Sequence, residues 1–177
     1  MRYTRLSIML ETNPNVSIRP AVASDAGALA GIFEESWRQA YSGIIPHIFL
    51  SETIKRHGER WWTRALVAGG PHLLLEVLGE PAGYASFGKS RSSGREEGEI
   101  YELYLAPLYQ GLGFGEHLFE GCRASLDDRG LNGLIVWVLR ENRGARSFYA
   151  HRGGLAKHRR IDLTTGAPLE KLGYVWG

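Results

Sequence analysis

Three glycines alternate in Gln110-Gly111-Leu112-Gly113-Phe114-Gly115, and this run sits directly between two patterned segments. Gly98 to Ala106 before it reads as a largely apolar strand. Phe114, Leu118, Cys122 and Leu126 after it recur at i, i+4 and mark one face of a helix that runs to about Asp128. A strand, a tight turn and a helix therefore follow one another with no spacer. Glycine in such a turn permits positive φ angles and lets a ligand approach the backbone closely. A helix start adds unpaired N–H groups and a partial positive charge, so the turn is a ready anion site that suits a diphosphate. A tight connection needing glycine for steric reasons alone accounts for the same residues equally well.

Two familiar phosphate loops do not fit. A Walker loop needs Lys and then Ser or Thr after its last glycine, and Glu116-His117 stand there. The Rossmann fingerprint is G-x-G-x-x-G, whereas the spacing here is G-x-G-x-G, and the next strand ends in Leu139-Arg140 with no acidic residue at its tip.

Patterning supplies the rest of the fold. Val16 to Arg19 is a short strand that stops at Pro20. Leu29, Ile32, Phe33 and Trp37 give a helix after Ser24 that breaks at Gly43 and Pro46. A second helical stretch runs from about Glu52 to Val67. Strands follow at His72–Leu78 and Ala82–Lys89, and the polar segment Lys89 to Glu97 reads as a mobile hairpin loop. The fully apolar run Leu134 to Leu139 is the pattern of a central strand buried on both faces. Asn142 caps a short helix that Gly153-Gly154 closes. Two strands near Lys157–Leu163 and Leu169–Trp176 end the chain. The order β-α-α-β-β-β-α-β-α-β-β predicts a mixed α/β layer fold with one sheet.

A length of 177 residues allows one such domain with a sizeable core, here residues 16–177, behind a loose N-terminal arm over residues 1–15. No apolar run reaches the ~20 residues of a membrane span. The net charge of +2 advertises neither nucleic acid nor an anionic membrane as partner. Cys122 is the single cysteine, so no intrachain disulfide forms, which fits the cytoplasm. It lies on an apolar helix face and reads as packing. The six histidines lack metal-ligand spacing, so no metal is expected.

The run from Glu99 to Gly115 resembles the GCN5-related N-acetyltransferase (GNAT) superfamily. Its Gln/Arg-x-x-Gly-x-Gly/Ala signature falls on Gln110, Gly113 and Gly115, after a strand end, Leu103 to Pro107, of the family's type. About thirty residues on, Asn142, Ala145, Phe148 and Tyr149 look like its Asn-x-x-Ala-x-x-Phe-Tyr motif. Two departures stand out. Gly154 replaces the aromatic that commonly follows Gly153, and Leu112 occupies a position that is often basic. The resemblance covers roughly residues 16 to 176. It implies a mostly antiparallel sheet of six to seven strands with about four helices and a splayed parallel pair. It also implies acetyl-CoA as acetyl donor. The pantetheine arm would bond to the backbone near Leu103, Tyr104 and Leu105. The diphosphate would lie on Gln110, Gly111, Leu112, Gly113, Phe114 and Gly115, with a further contact from Asn142. Tyr149 would be the acid for the leaving thiolate or a cofactor contact.

An amine attacks a thioester only when unprotonated, so a base is needed. Strict strand alternation puts Glu99 on the face of Leu103 and Leu105 and Glu102 on the other. Aligned through Gln110, Glu99 looks like the family's base and is the first candidate. Glu102 is the second, because a bulge reverses the parity. Both also read simply as solvated strand carboxylates. Trp37 and Tyr41 border the acceptor pocket in this reading, or pack as plain core. The expected acceptor is a small-molecule amine, with a homodimer left open. The rival readings are an acetyl-CoA-responsive regulatory domain without catalysis and a protein or peptide N-acetyltransferase.

Overall fold

The structure is a computed structural model that describes residues 15–177. The expected arm lies outside the described residues except for Asn15. In chain order the elements are β1 (Val16–Pro20), α1 (Ala26–Tyr41), α2 (His47–Arg56), α3 (Glu59–Val67), β2 (His72–Val77), β3 (Glu80–Lys89) and β4 (Gly98–Leu105), followed by α4 (Phe114–Asp127), β5 (Leu134–Leu139), α5 (Arg143–His151), β6 (Leu155–Asp162) and β7 (Leu169–Trp176). The seven strands form one sheet in the order β1-β2-β3-β4-β5-β7-β6. Every neighbouring pair is antiparallel except β4 and β5.

The stretch read as one helix over residues 52–67 is two helices, giving five in all among the described residues. Gly58 takes an extended conformation (φ −70°, ψ −179°) and starts α3 afresh. His57 holds the corner, with its ring nitrogen 2.8 Å from the Thr53 carbonyl and its ring stacked on Phe33. The helical pattern alone misses this break, because both halves present apolar residues to the same core.

Helices cover both sheet faces. On one, Leu118, Phe119, Cys122 and Leu126 of α4 pack on Leu73, Leu75, Phe87 and Ile100. On the other, Leu29 and Phe33 of α1, Leu50 and Ile54 of α2 and Trp62 of α3 pack on Leu74, Tyr84 and Leu139. Burying each large side chain of this kind contributes about 1.5–3 kcal/mol. Strand β6 is the sheet edge beyond β7 and is exposed along most of its length.

One irregularity in β4 positions the site. Glu102 pairs with Ser86, but Ile100 pairs with Phe87, so Tyr101 is an extra residue without its own partner. This is a β-bulge. It flips the alternation midway along the strand. Ile100, Leu103 and Leu105 pack on the α4 side, whereas Tyr104 packs on the α1–α3 side. Glu102 hydrogen-bonds Tyr84 on that second side, and Glu99 is paired across from Gly88 rather than from Phe87. The expectation that Glu99 shares a face with Leu103 and Leu105 is therefore corrected. Both carboxylates lie on the α1–α3 face.

The loop between β3 and β4, expected as mobile, is held at several points. Ser90 N–H donates to the Glu97 carbonyl (2.7 Å), Arg91 binds Glu99, and Ser92 Oγ accepts from Trp137 Nε1 (2.9 Å).

Candidate active site

Strands β4 and β5 pair only from Gly98–Leu134 to Ile100–Val136, after which they part. Beyond that point β5 keeps β7 as its other neighbour, and the β4 segment through Leu105 has a free edge facing the gap. A cleft of about 710 Å³ opens there. It is lined by Leu103, Tyr104 and Leu105 from β4, Gln110, Gly111, Gly113 and Gly115 from the turn, and Asn142, Phe148 and Tyr149 at α5. The structure thus brings together most of the residues singled out as cofactor contacts.

The turn has the geometry that the glycine pattern asks for. Gly111 and Gly113 hold φ of +74° and +85°, a left-handed conformation that L side chains resist. At Gly115 a Cβ would come within 3.0 Å of the Phe148 ring, so glycine lets α4 and α5 approach each other. No backbone N–H from Gly111 to Gly115 donates to another backbone carbonyl among the described residues. Those orphan donors cluster at the positive end of α4, where an anionic group satisfies them. Gln110 does something else. Its amide donates to the Leu105 carbonyl (2.9 Å) and to Gln39 (2.8 Å), tying the turn back to β4 and α1.

Leu112 and Phe114 do not line the cleft. Leu112 is 63% exposed, and Phe114 packs beside Tyr109 at 6.3 Å between ring centres. Trp37 also stays out of it, stacked on Phe33 (4.8 Å) and edge-on to Tyr41. Tyr41 reaches the site indirectly, because its hydroxyl lies 3.0 Å from that of Tyr104, which is a lining residue. Asn142 caps α5 by accepting from the Ala145 N–H (3.1 Å).

The two candidate carboxylates, neither of which lines the cleft, are in unlike surroundings. Glu99 is 1% exposed and saturated by Arg91, which donates from its backbone N–H (2.8 Å) and its guanidinium (2.7 and 3.3 Å). Glu102 is half-buried, and both its bonds fall on Oε2, from Tyr84 (3.2 Å) and Ser86 (3.4 Å). Burial pushes its carboxyl up to about 7, against the pull of those two hydroxyls and of Arg91. Tyr84, Tyr104 and Tyr41 surround it with phenols whose own acidities are weakened by burial. Tyr149 is buried among Phe119, Phe148, Tyr174 and Trp176, and burial also raises its phenol above the ordinary value. Its hydroxyl makes no hydrogen bond among the described residues.

Sequence reasoning missed three contributors. Ser36 is a polar residue on the apolar face of α1, one residue before Trp37, and its Oγ donates to the Leu105 carbonyl (3.1 Å). That misplaced polarity was a readable signal. Arg143 at the start of α5 and Arg152 at its end also line the cleft, and Arg152 lies 3.8 Å over the Phe148 ring. Nothing in the local pattern separates them from ordinary surface arginines.

Among the described residues no group of His, Cys, Asp and Glu is placed to hold a metal ion, and no helix is long and apolar enough to cross a membrane. Comparison with known proteins agrees with the layout. An uncharacterized N-acetyltransferase of Bacillus subtilis, YuaI, is 28% identical over 163 residues, covering 91% of this chain and 92% of its own. The L-amino acid N-acyltransferase MnaT of Escherichia coli is 26% identical over 164 residues, covering 92% and 87%. The structure of YncA from Salmonella typhimurium, a putative acetyltransferase solved with its cofactor acetyl-CoA, superposes with a TM-score of 0.66 at 21% identity. That match covers 92% of this chain and 93% of the other. The sequence model of the Acetyltransferase (GNAT) family matches residues 29–154, which include the splayed strand, the glycine turn and Tyr149, and the chain belongs to that family.

Proposed function

We propose that the protein transfers the acetyl group of acetyl-CoA directly to the primary amine of a small molecule. The observation that carries this reading is the single cleft in which a free strand edge, a turn of orphan N–H donors and Tyr149 converge. Leu103 to Leu105 lack a strand partner on this side and, apart from the Leu105 carbonyl already bound by Ser36 and Gln110, offer their edge to an extended pantetheine-like chain, as in strand addition. The N–H groups of Gly111 to Gly115 suit a diphosphate, and their fit does not depend on a basic side chain at position 112. Acetyl-CoA supplies the acetyl group as an activated thioester.

The chain's own residues manage the protons. A lysine-like amine arrives as ammonium at neutral pH. Glu102 lies behind Tyr104 and not in the cleft lining; poised near neutrality, with Oε1 free of hydrogen bonds among the described residues, it takes one of the ammonium protons through a bridging water and leaves the nitrogen lone pair available for attack. Tyr149 gives its hydroxyl proton to the departing sulfur, and the nitrogen's second proton replaces it. Glu99 holds the β3–β4 loop through Arg91. A small acceptor is supported by the wall that Tyr104 and Ile44 give the cleft, with Tyr41 behind Tyr104. The activity in the name of the relative MnaT, on L-amino acids, supports the same class.

The test is release of free CoA thiol across a panel of amino acids, polyamines, aminoglycosides, lysine peptides and protein N-termini. Turnover should concentrate on small amines. Turnover confined to peptides overturns the substrate class. CoA binding with no turnover on any amine points instead to a regulatory domain.

A further inference from the structure

Resting on Glu102 as base, we infer that the proton it collects leaves through Ser86 to His72 and exits to solvent beside Gly70. Three observations place these groups in line. Ser86 Oγ lies 3.4 Å from Glu102 Oε2, the carboxylate oxygen that also accepts from Tyr84. His72 Nδ1 lies 2.8 Å from the same Ser86 Oγ. At the far side of the ring, His72 Nε2 faces the turn after α3, where a Cβ on Gly70 would stand 2.9 Å from it. Gly70 is exposed, and its missing side chain leaves that nitrogen open. Ser86 is buried, so the hydroxyl bridges an inner carboxylate and an outer imidazole.

Burial disfavours the charged form at both ends of the relay. The groups facing Glu102 are Tyr84 on β3, Tyr104 on its own strand, Tyr41 on α1 and Arg91 from the β3–β4 loop. His72 meets the Trp62 ring on α3 and Ser86 on β3, with no acidic partner among the described residues, and burial lowers its basicity. With Ser86 donating to Glu102, His72 Nδ1–H donates to Ser86; once Glu102 is protonated, the Nε2–H tautomer presents a free Nδ1 that accepts a proton from Ser86 and lets the ring pass one on.

The step balances as follows. The carboxyl group of Glu102 turns so that the oxygen protonated at Oε1 faces Ser86; its O–H bond then breaks and its proton moves to Ser86 Oγ. The Ser86 hydroxyl proton moves at the same time to His72 Nδ1. The resulting imidazolium releases its Nε2 proton to water. Glu102 ends as carboxylate, Ser86 as hydroxyl and His72 as the neutral Nδ1–H tautomer, and ring and hydroxyl reorient for the next turnover. Each turnover on an ammonium substrate must export one such proton, because the sulfur accounts only for the second.

The experiment compares pH–rate profiles of the parent, His72→Ala, Ser86→Ala and Gly70→Val on the best amine found. A relay is worth less than the base itself, whose loss costs 10²–10⁴, so His72→Ala should lower kcat about tenfold near pH 7 with both KM values unchanged. Imidazole in the buffer should restore it, and the deficit should close at high pH, where the amine arrives neutral. Gly70→Val should show the same signature more weakly. A deficit that is constant with pH and untouched by imidazole overturns the relay, as does parental kcat in both His72→Ala and Ser86→Ala. If Glu102→Gln keeps the parental profile, the base assignment fails instead. The coupling is also read without turnover by following the His72 ring nitrogens by NMR. Glu102→Gln should shift their tautomer balance, and Ser86→Ala should abolish that sensitivity. A tautomer balance indifferent to Glu102→Gln overturns the relay independently of any substrate.

Discussion

Glu99 and Glu102 are three residues apart, yet they are opposite kinds of carboxylate. Arg91 saturates one, while the other has two weakly placed hydroxyl donors and a pKa pushed to about 7. Glu102→Gln should therefore lower kcat/KM by about 10²–10⁴ near pH 7 and erase the limb of the pH profile that rises through that value. Its stability effect has the reverse sense. A carboxyl whose folded pKa is raised stabilises the fold below its unfolded pKa, and that contribution is lost as pH rises through the folded value. Thermal melts should thus show Glu102→Gln more stable than the parent at pH 8 and equal to it near pH 4. Glu99→Gln should behave otherwise. Losing the charge-assisted bonds from an exposed arginine costs about 1–3 kcal/mol in denaturant melts and leaves the neutral limb in place. For Tyr149→Phe we expect a fall in kcat of tenfold or more with little change in melting temperature, because the lost hydroxyl has no protein partner; a parental kcat removes Tyr149 as the acid. The two glutamates were visible in the sequence, but their environments were not. Parity arguments assume uninterrupted pleating, and the extra residue, Tyr101, has no signature in composition.

At the scale of elements, the strand–turn–helix unit was legible because its constraints are local. Positive φ at Gly111 and Gly113 and close packing at Gly115 each demand glycine at a fixed offset. The boundary between α2 and α3 was hidden because it depends on His57 finding Phe33 across the core. Gly113→Ala forces a side chain into the left-handed region at the start of α4. That costs about 1–2 kcal/mol of stability and should weaken CoA binding in calorimetry by misaiming the N–H donors. CoA affinity equal to the parent's would mean that the diphosphate lies elsewhere. Asn142→Ala removes the α5 cap and should cost about 1 kcal/mol, with part of the loss recovered by Asn142→Asp.

For the whole molecule, two helical layers clamp a sheet whose central pair is deliberately incomplete. The layers were readable from periodicity, and the place where β4 and β5 part was inferred only through the resemblance. Hydrogen-bonding potential left unused along that gap is what a bound donor would complete. Ligand binding to the folded state alone stabilises by about 2.7 kcal/mol at a hundredfold excess over Kd. For a chain of this size that corresponds to about 5–10 °C in melting temperature. Scanning calorimetry with CoA and with desulfo-CoA should give similar shifts, since neither the strand edge nor the turn contacts sulfur in this arrangement.

The outer strand β6 has a consequence for how the molecules tolerate one another. Its exposed rim carries Lys157, His158, Arg159 and Arg160 in succession. Were two copies to zip together antiparallel about the middle of that run, Lys157 would face Arg160 and His158 would face Arg159. Like charges directly opposed across a ladder, as Lys157 and Arg160 would be, repel. The rim thus acts as a fence against runaway sheet extension in a crowded solution, and one whose height falls as salt screens it.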